Sequence, residues 1–266
     1  IPHTAAFHVQ PENITYSIGL GTNTKVNDFI YTHYRDSFFN HFSHIHCPSE
    51  FIANELKEHG YTAKLHVISN GVDDEFKYYG KEKLPEFKDK FVITMIGRYS
   101  NEKRQDVLID AISKSKHADK IQLVLAGKGP KEAKYKKLGE KLINPLVMKF
   151  YNTDDLIDLL KSTDLYVHSA DAEIEAISCI EAFACGNVPI IANSPNSATK
   201  QFAIVKESLF EAGNSTDLAN KIDFWIENED YRKDMELKYS QHANNYRLKD
   251  SIKKMEEMFE DAIREY

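Results

Sequence analysis

From residue 91 onward, short apolar runs alternate with amphipathic stretches. The runs are Phe91–Ile96, Ile121–Ala126, residues 146–150, Leu165–His168 and residues 188–192. They lack period-two alternation, the pattern of strands covered on both faces. Between them the spacing changes to that of helices. In residues 104–115, Val107, Leu108, Ala111 and Ile112 share one face. In residues 154–162, Leu156, Ile157, Leu159 and Leu160 follow two acidic residues suited to a helix N-terminus. In residues 175–185, Ile177, Ile180 and Ala184 recur before Gly186, a suitable C′ residue. Such alternation predicts a parallel, doubly wound sheet with right-handed crossovers. Ligands of such sheets bind at the carboxyl ends of the strands.

Residues 1–70 read differently. The pattern predicts a strand end over residues 2–8, a helix over 23–42, a strand over 45–47, a helix over 49–59 stopped by Gly60, and a strand over 64–68. This is too little for a complete domain and reads as the second half of one. Residues 73–90, rich in Lys, Glu, Tyr and Pro, read as a linker. Residues 251–266 form a charged amphipathic helix with Ile252, Met255, Phe259 and Ile263 on one side. The expected division is 1–80, the later part of a first domain with the linker; 81–240, a second domain; and 241–266, a helix returning toward the first.

Composition narrows the function classes. The 266 residues carry 34 basic and 41 acidic side chains, a formal charge of −7. That balance argues against a chain whose whole surface grips nucleic acid. Three cysteines, Cys47, Cys179 and Cys185, form no C-x-x-C pair. They favour a reducing, cytoplasmic setting over a disulfide framework or a Cys-rich zinc site. No apolar run approaches the roughly 18–20 residues needed to span a bilayer. The sequence opens Ile1-Pro2-His3, not on Met and not on a signal peptide, and is expected to be a fragment or a processed product.

Three segments carry candidate chemistry. Gly97-Arg98-Tyr99-Ser100-Asn101-Glu102-Lys103-Arg104 follows a strand and opens a helix. Gly97 permits a sharp turn, and an Arg fork with a mobile Lys suits a diphosphate. A solvated basic turn is the structural alternative. Next, Glu173 and Glu181 flank the start of a helix. The amides of Ala176, Ile177 and Ser178 would there be free to bind an anion. Eight residues of helix span about 12 Å, too far for an acid/base pair but suited to two hydroxyl-bearing parts of one extended ligand. Salt-bridged structural glutamates are the alternative. Third, Gly127-Lys128-Gly129-Pro130 is not G-x-G-x-x-G and reads as a tight strand-to-helix turn. His41, His44 and His46 lack the spacing of a metal site. His44 and His46 are expected on one side of a strand. His8 ends a strand where a loop would face a cleft, with a structural histidine as the alternative.

Together these segments resemble the retaining glycosyltransferases of "group 1", or family 4, with the GT-B fold. Val67-Ile68-Ser69-Asn70-Gly71-Val72-Asp73 is like the family's IPNGVD junction. Gly97-Arg98-Tyr99 with Glu102-Lys103-Arg104, then Leu125 to Pro130, then Asp164 to Ser169, follow in the family's order. Glu173 to Glu181 carries its E-x7-E spacing, and 181–191, EAFACGNVPII, resembles EAMACGxPVV. The stretches QPENI and AEIEAISCIEAFACG resemble bacterial glucosyltransferases of the cell envelope that act on lipid acceptors.

The resemblance implies two Rossmann-like domains, the first incomplete here, with a nucleotide-sugar, a UDP-hexose, in the cleft. Arg98 and Lys103 would hold its diphosphate, with Gly97 at the turn. Glu181 would bind the ribose, Glu173 the sugar hydroxyls, and the amides of Ala176, Ile177 and Ser178 the distal phosphate. The base would lie near Asn152 and Thr153, and His8 would reach toward the donor sugar. The family usually has Gly or Pro where Ala176 stands. The resemblance further implies retention of anomeric configuration, no metal or added cofactor, a glycolipid or polysaccharide acceptor, and no nucleic acid. It leaves peripheral membrane contact open. A GT-B-type sugar-nucleotide epimerase and a non-catalytic nucleotide-sugar-binding domain are the alternatives. The 266-residue form is expected to bind nucleotide weakly and to transfer poorly.

Overall fold

The computed structural model describes residues 2–21 and 23–266. Two parallel sheets organise the chain. The first contains β1 (Ala5–Ala6), β2 (His44–Cys47) and β3 (Lys64–Val67) in that order. With it go α1 (Pro11–Ser17), α2 (Thr24–Ser37) and α3 (Glu50–Glu58). The second runs β6-β5-β4-β7-β8-β9, where β4 is Phe91–Ile96, β5 Ile121–Ala126, β6 Val147–Lys149, β7 Leu165–His168, β8 Val188–Asn193 and β9 Leu209–Glu211. Its helices are α4 (Gln105–Lys114), α5 (Glu132–Gly139), α6 (Thr153–Ser162), α7 (Ile177–Ala184), α8 (Ser215–Glu227) and α9 (Glu229–His242), and α10 (Leu248–Arg264) closes the chain. The second is the parallel, doubly wound sheet that the alternation predicts, and the two sheets together are the pair that the resemblance implies.

The strands form where the sequence is continuously apolar. β5 is buried at all six positions, and β7 and β2 at all four of theirs. Side-chain caps set several helix starts: Ser49 for α3, Asn152 for α6 and Asn214 for α8 each accept a first-turn amide. One core packs against the first sheet and two against the second, the smaller of these around Phe87, Val92, Val124 and Leu159. Phe7, Tyr31, Ile45, Ile52 and Tyr61 fill the core of the first sheet, and Phe183, Phe202, Phe210 and Trp225 anchor the larger core of the second.

Several boundaries differ from the pattern. The helix expected over 23–42 ends at Ser37, because Phe38 leaves helical geometry (φ −138°, ψ −61°) and a 3-10 turn follows over Phe39–His41. There Phe38 stacks edge-on against Phe39 and tilts onto Phe42. The strand expected over 2–8 pairs as a ladder only at Ala5–Ala6. The helix expected from residue 175 starts at Ile177, since Ala176 adopts a left-handed conformation. The linker is partly built in. Lys81 Nζ donates to Thr163 O at 2.9 Å and Asn187 Oδ1 at 2.7 Å, and burial pushes this ammonium down to about 8.

Contacts across the junction hold the two sheets in one arrangement. Glu175 Oε2 accepts from the Asn70 amide at 2.8 Å and from Asn70 Nδ2 at 2.7 Å. Ser49 Oγ donates to Ile174 O at 2.7 Å and Gln10 Nε2 to Asn196 O at 3.1 Å. Asp261 of α10 and Glu265, which caps it, pair with Lys64 of β3 at 3.0 and 2.8 Å. Among the described residues no helix is long and apolar enough to cross a membrane.

Candidate functional site

The second sheet reverses its winding between β4 and β7, whose loops part to opposite sides. A doubly wound sheet opens its crevice at such a point, beyond the carboxyl ends of the strands. The loop after β4 starts at Gly97, with φ 154°, a conformation that glycine adopts without steric cost. It pairs with the loop after β5 through Gly97 N to Ala126 O at 3.0 Å and Tyr99 N to Lys128 O at 3.1 Å. A methyl group on Gly127 would stand 2.1 Å from Gly97 O, so the two backbones can meet only if that position is glycine.

Beyond these strand ends lies a cleft of about 600 Å³. Gly97 and Arg98, Gly127 to Pro130, and Phe150, Tyr151 and Leu156 line it. Lys128 Nζ lies 4.7 Å from the Phe150 ring centroid. Its mostly apolar wall with a cationic mouth suits a flat ring bearing an anionic tail. Arg98 is exposed, and among the described residues its guanidinium makes no hydrogen bond or ion pair. Asn152 and Thr153 are the N-cap and first residue of α6, next to Tyr151 but not on the cleft wall. The turn Gly127-Lys128-Gly129-Pro130 is a wall of the cleft as well as a tight turn.

Lys103 and Glu173 meet across the reversal point. Lys103 Nζ is in direct contact with Glu173 Oε2, and the two side chains are 16% and 12% exposed. Burial raises the Glu173 pKa, but the Lys103 charge and the neighbouring His168 outweigh it and hold the carboxyl down to about 2. His168 Nε2 stands 3.5 Å from Glu173 Oε2 and is wholly buried, which favours its neutral form. Behind it, Tyr166 Oη lies 3.3 Å from His168 Nδ1 and donates to Ser178 Oγ at 3.2 Å. A buried polar chain thus runs from the first turn of α7 to Glu173.

The loop carrying Lys103 is fixed from below. Ser169 Oγ lies 2.9 Å from the carbonyls of both Lys103 and Arg104. Arg104 itself is left-handed (φ 54°) and is held by Asp171 at 2.7 Å. Ala176 is the second such residue (φ 66°) and directly precedes α7. A left-handed non-glycine residue costs about 1–2 kcal/mol, and here the strain turns the Ile177 and Ser178 amides into the open first turn of a helix.

Glu181, one turn further along α7, is half-buried and has no hydrogen-bond or ion-pair partner among the described residues. Burial raises its pKa. His8 is exposed, with Nε2 3.1 Å from His46 Nδ1. Lys103, Glu173 and Ser178 therefore share one network, Gly97 and Arg98 border the cleft, and Glu181 and His8 stand apart from both. Sequence reasoning singled out Lys128 only within a tight turn, and did not single out Phe150, Tyr166, His168 or His46 as part of the site. An aromatic pair after a strand and histidines on alternate strand positions were the available signals.

Comparison with known proteins places the chain in a family. Residues 80–242 match the family model described as Glycosyl transferases group 1, and residues 1–76 match Glycosyltransferase Family 4. The catalytic domain of cholesterol-alpha-glucosyltransferase from Helicobacter pylori is 51% identical, over 59% of this chain and 98% of that one, with a TM-score of 0.57. The alpha-monoglucosyldiacylglycerol synthase of Streptococcus pneumoniae is 24% identical over 207 residues, 73% of this chain and 46% of that protein, so this chain spans less than half of that relative. In fold, Anabaena HepE, solved with UDP and glucose, superposes with a TM-score of 0.80 at 19% identity, over 98% of this chain and 72% of that one. The chain belongs to the group 1, family-4 glycosyltransferases of the GT-B fold.

Proposed function

We propose that this chain forms the donor side of a hexosyltransferase that moves a sugar from UDP to a glycolipid or saccharide acceptor with retention of configuration. The ion pair of Lys103 with Glu173 beside an unpaired Arg98 carries this reading. The uracil would enter the apolar cleft near Phe150 and Tyr151, by Asn152 and Thr153. Glu181, partnerless and partly desolvated, would take the ribose hydroxyls. Arg98 and Lys103 would hold the diphosphate, with the Ile177 and Ser178 amides at its distal end. Glu173, kept ionised, would accept hydrogen bonds from sugar hydroxyls once Lys103 turns to phosphate.

Transfer breaks the bond between the anomeric carbon and the β-phosphate oxygen, and negative charge grows on that oxygen. Fixed cations and helix amides aimed there stabilise the charge most as the bond breaks. The acceptor hydroxyl forms the new bond on the face the phosphate leaves, and its proton passes to the departing phosphate oxygen. No protein nucleophile enters, and the positive groups supply the stabilisation that a divalent metal gives in other transferases. The lipid-modifying enzymes among the relatives, a cholesterol glucosyltransferase and a diacylglycerol-lipid synthase by their names, support a lipid acceptor and peripheral membrane contact.

A thermal-shift panel of UDP-, GDP- and ADP-sugars tests the reading. A ligand at a hundredfold excess over its Kd adds about 2.7 kcal/mol to stability, a rise of several degrees for a chain of this size. UDP-sugars should give that rise, and Lys103→Ala should remove it. Equal shifts in parent and Lys103→Ala would overturn the phosphate assignment.

A further inference from the structure

His8 and His46 form a pair whose hydrogen-bond logic closes. His46 lies on β2 and is 5% exposed. Its Nε2 is 2.6 Å from Ile68 O. A carbonyl oxygen only accepts, so His46 Nε2 carries the proton. Burial lowers the pKa of His46, which favours the neutral ring, and in a neutral ring with a protonated Nε2 the Nδ1 is a bare lone pair. That lone pair faces His8 Nε2 at 3.1 Å, with the rings 5.1 Å apart and inclined at 62°. His8 must then place its own proton on Nε2. Desolvation lowers the pKa of His8 as well, so its Nδ1 is also bare. One backbone carbonyl thus sets the tautomer of two rings.

The pair sits near the donor-side loop. Two residues after His8, Gln10 Nε2 donates to Asn196 O at 3.1 Å, and the Glu173 amide donates to the same carbonyl at 3.3 Å. The Ile68 amide in turn donates to Cys47 O at 2.9 Å, which holds the carbonyl that His46 uses in register with β2.

We propose that His46 is a positioning residue for sugar transfer: by accepting a hydrogen bond from His8 Nε2 it fixes His8 in the tautomer whose open Nδ1 accepts a hydrogen bond from a hydroxyl of the donor sugar. His8 then reads the sugar as an acceptor. A sugar hydroxyl that donates fits it, and a deoxy or O-methyl sugar at that position does not. The inference rests on the proposed donor-sugar site, with His8 reaching toward the sugar as the resemblance implies, and the test separates the two.

Chains labelled with 15N-histidine, assigned with His8→Ala and His46→Phe, report tautomers directly. Both rings should show protonated Nε2 and bare Nδ1 at neutral pH. UDP and UDP-glucose are then titrated calorimetrically into the parent and both variants. Loss of one hydrogen bond weakens binding about fivefold. That loss is expected for UDP-glucose in His8→Ala and in His46→Phe, with UDP unchanged in both. A His8 with its proton on Nδ1 overturns the proposal. So does a His46→Phe variant that binds UDP-glucose as the parent does while His8→Ala does not, and so does equal weakening of UDP and UDP-glucose, which marks a structural role. If His8→Ala leaves UDP-glucose binding intact, the donor-sugar role of His8 itself fails, and the positioning role goes with it.

Discussion

Removing Lys103 should turn Glu173 from a stabilising into a destabilising group. The Glu173 carboxyl drops from its ordinary 4.5 to about 2. At 1.36 kcal/mol per pH unit this is about 3 kcal/mol of favourable interaction at neutral pH. Both side chains are mostly buried, so solvent does little to screen the pair. In Lys103→Ala the burial that raises the Glu173 pKa is left opposed chiefly by a neutral His168, and the carboxyl moves above its ordinary value. Stranding one member of a buried pair costs about 3–5 kcal/mol. The folded pKa of Glu173 in the parent lies below the unfolded one, so its contribution is complete above about pH 5 and fades as pH falls toward 2. In the variant the order is reversed, and the penalty disappears on protonation. The gap between parent and variant is therefore widest near pH 7 and narrows on acidification to pH 4. Urea unfolding followed by circular dichroism at both pH values measures it. Lys103→Ala/Glu173→Gln, which removes the stranded charge, should recover most of the loss at pH 7. A single variant within about 1 kcal/mol of the parent at pH 7, or a gap that does not shrink at pH 4, would refute the electrostatic account.

Two backbone predictions follow from the same loops. Ala176→Gly exchanges about 1 kcal/mol of left-handed strain for a lost methyl contact and should leave the unfolding midpoint close to that of the parent. Ala176→Val, β-branched at φ 66°, should lose at least about 2 kcal/mol, and a Val variant as stable as the Gly variant would deny that this conformation is maintained. Gly127→Ala puts a methyl 2.1 Å from Gly97 O and should both lower stability and abolish UDP binding, read by thermal shift with and without UDP.

The strands were legible because they are written as unbroken apolar runs. β4, β5 and β7 match the expected bounds residue for residue. Of the elements that sequence reasoning passed over, α8 carries a plain apolar face in Leu218, Ala219, Ile222 and Trp225, while others hide for definable reasons. α9 is polar nearly all round and is fixed by scattered residues such as Met235 and Tyr239. α1 has seven residues, and β9 has three. Lys103 and Glu173 were each visible as candidates, but their contact was not, since 70 residues separate them and a pairing across the reversal point belongs to topology. His46 drew attention only as a weak metal ligand. Its use depends on a carbonyl at Ile68 and a ring at His8, neither of which composition or spacing encodes. Conversely, the departure at Ala176 was visible in the sequence, and its left-handed geometry gives the physical reason why glycine suits that position.

The loop between β7 and α7 joins the crevice of the second sheet to the first sheet. Within six residues it supplies Asp171 to the strained Arg104, Glu173 to Lys103, the Ile174 carbonyl to Ser49 and the Glu175 carboxylate to Asn70. The first two contacts lie around the second sheet, at the crevice beyond β4 and β7. The last two reach across the junction to α3 and to the turn after β3. Glu175 is 1% exposed and, among the described residues, one of its oxygens has no hydrogen-bond partner, and burial raises its pKa against the pull of Ser69 and Asn70. A buried carboxylate held on one oxygen is an expensive way to join two domains. Its sense lies in position. The stretch that brings Glu173 to Lys103 is the one that Ile174 and Glu175 tie to the first sheet, so the ion pair of the crevice and the junction share one short run of backbone.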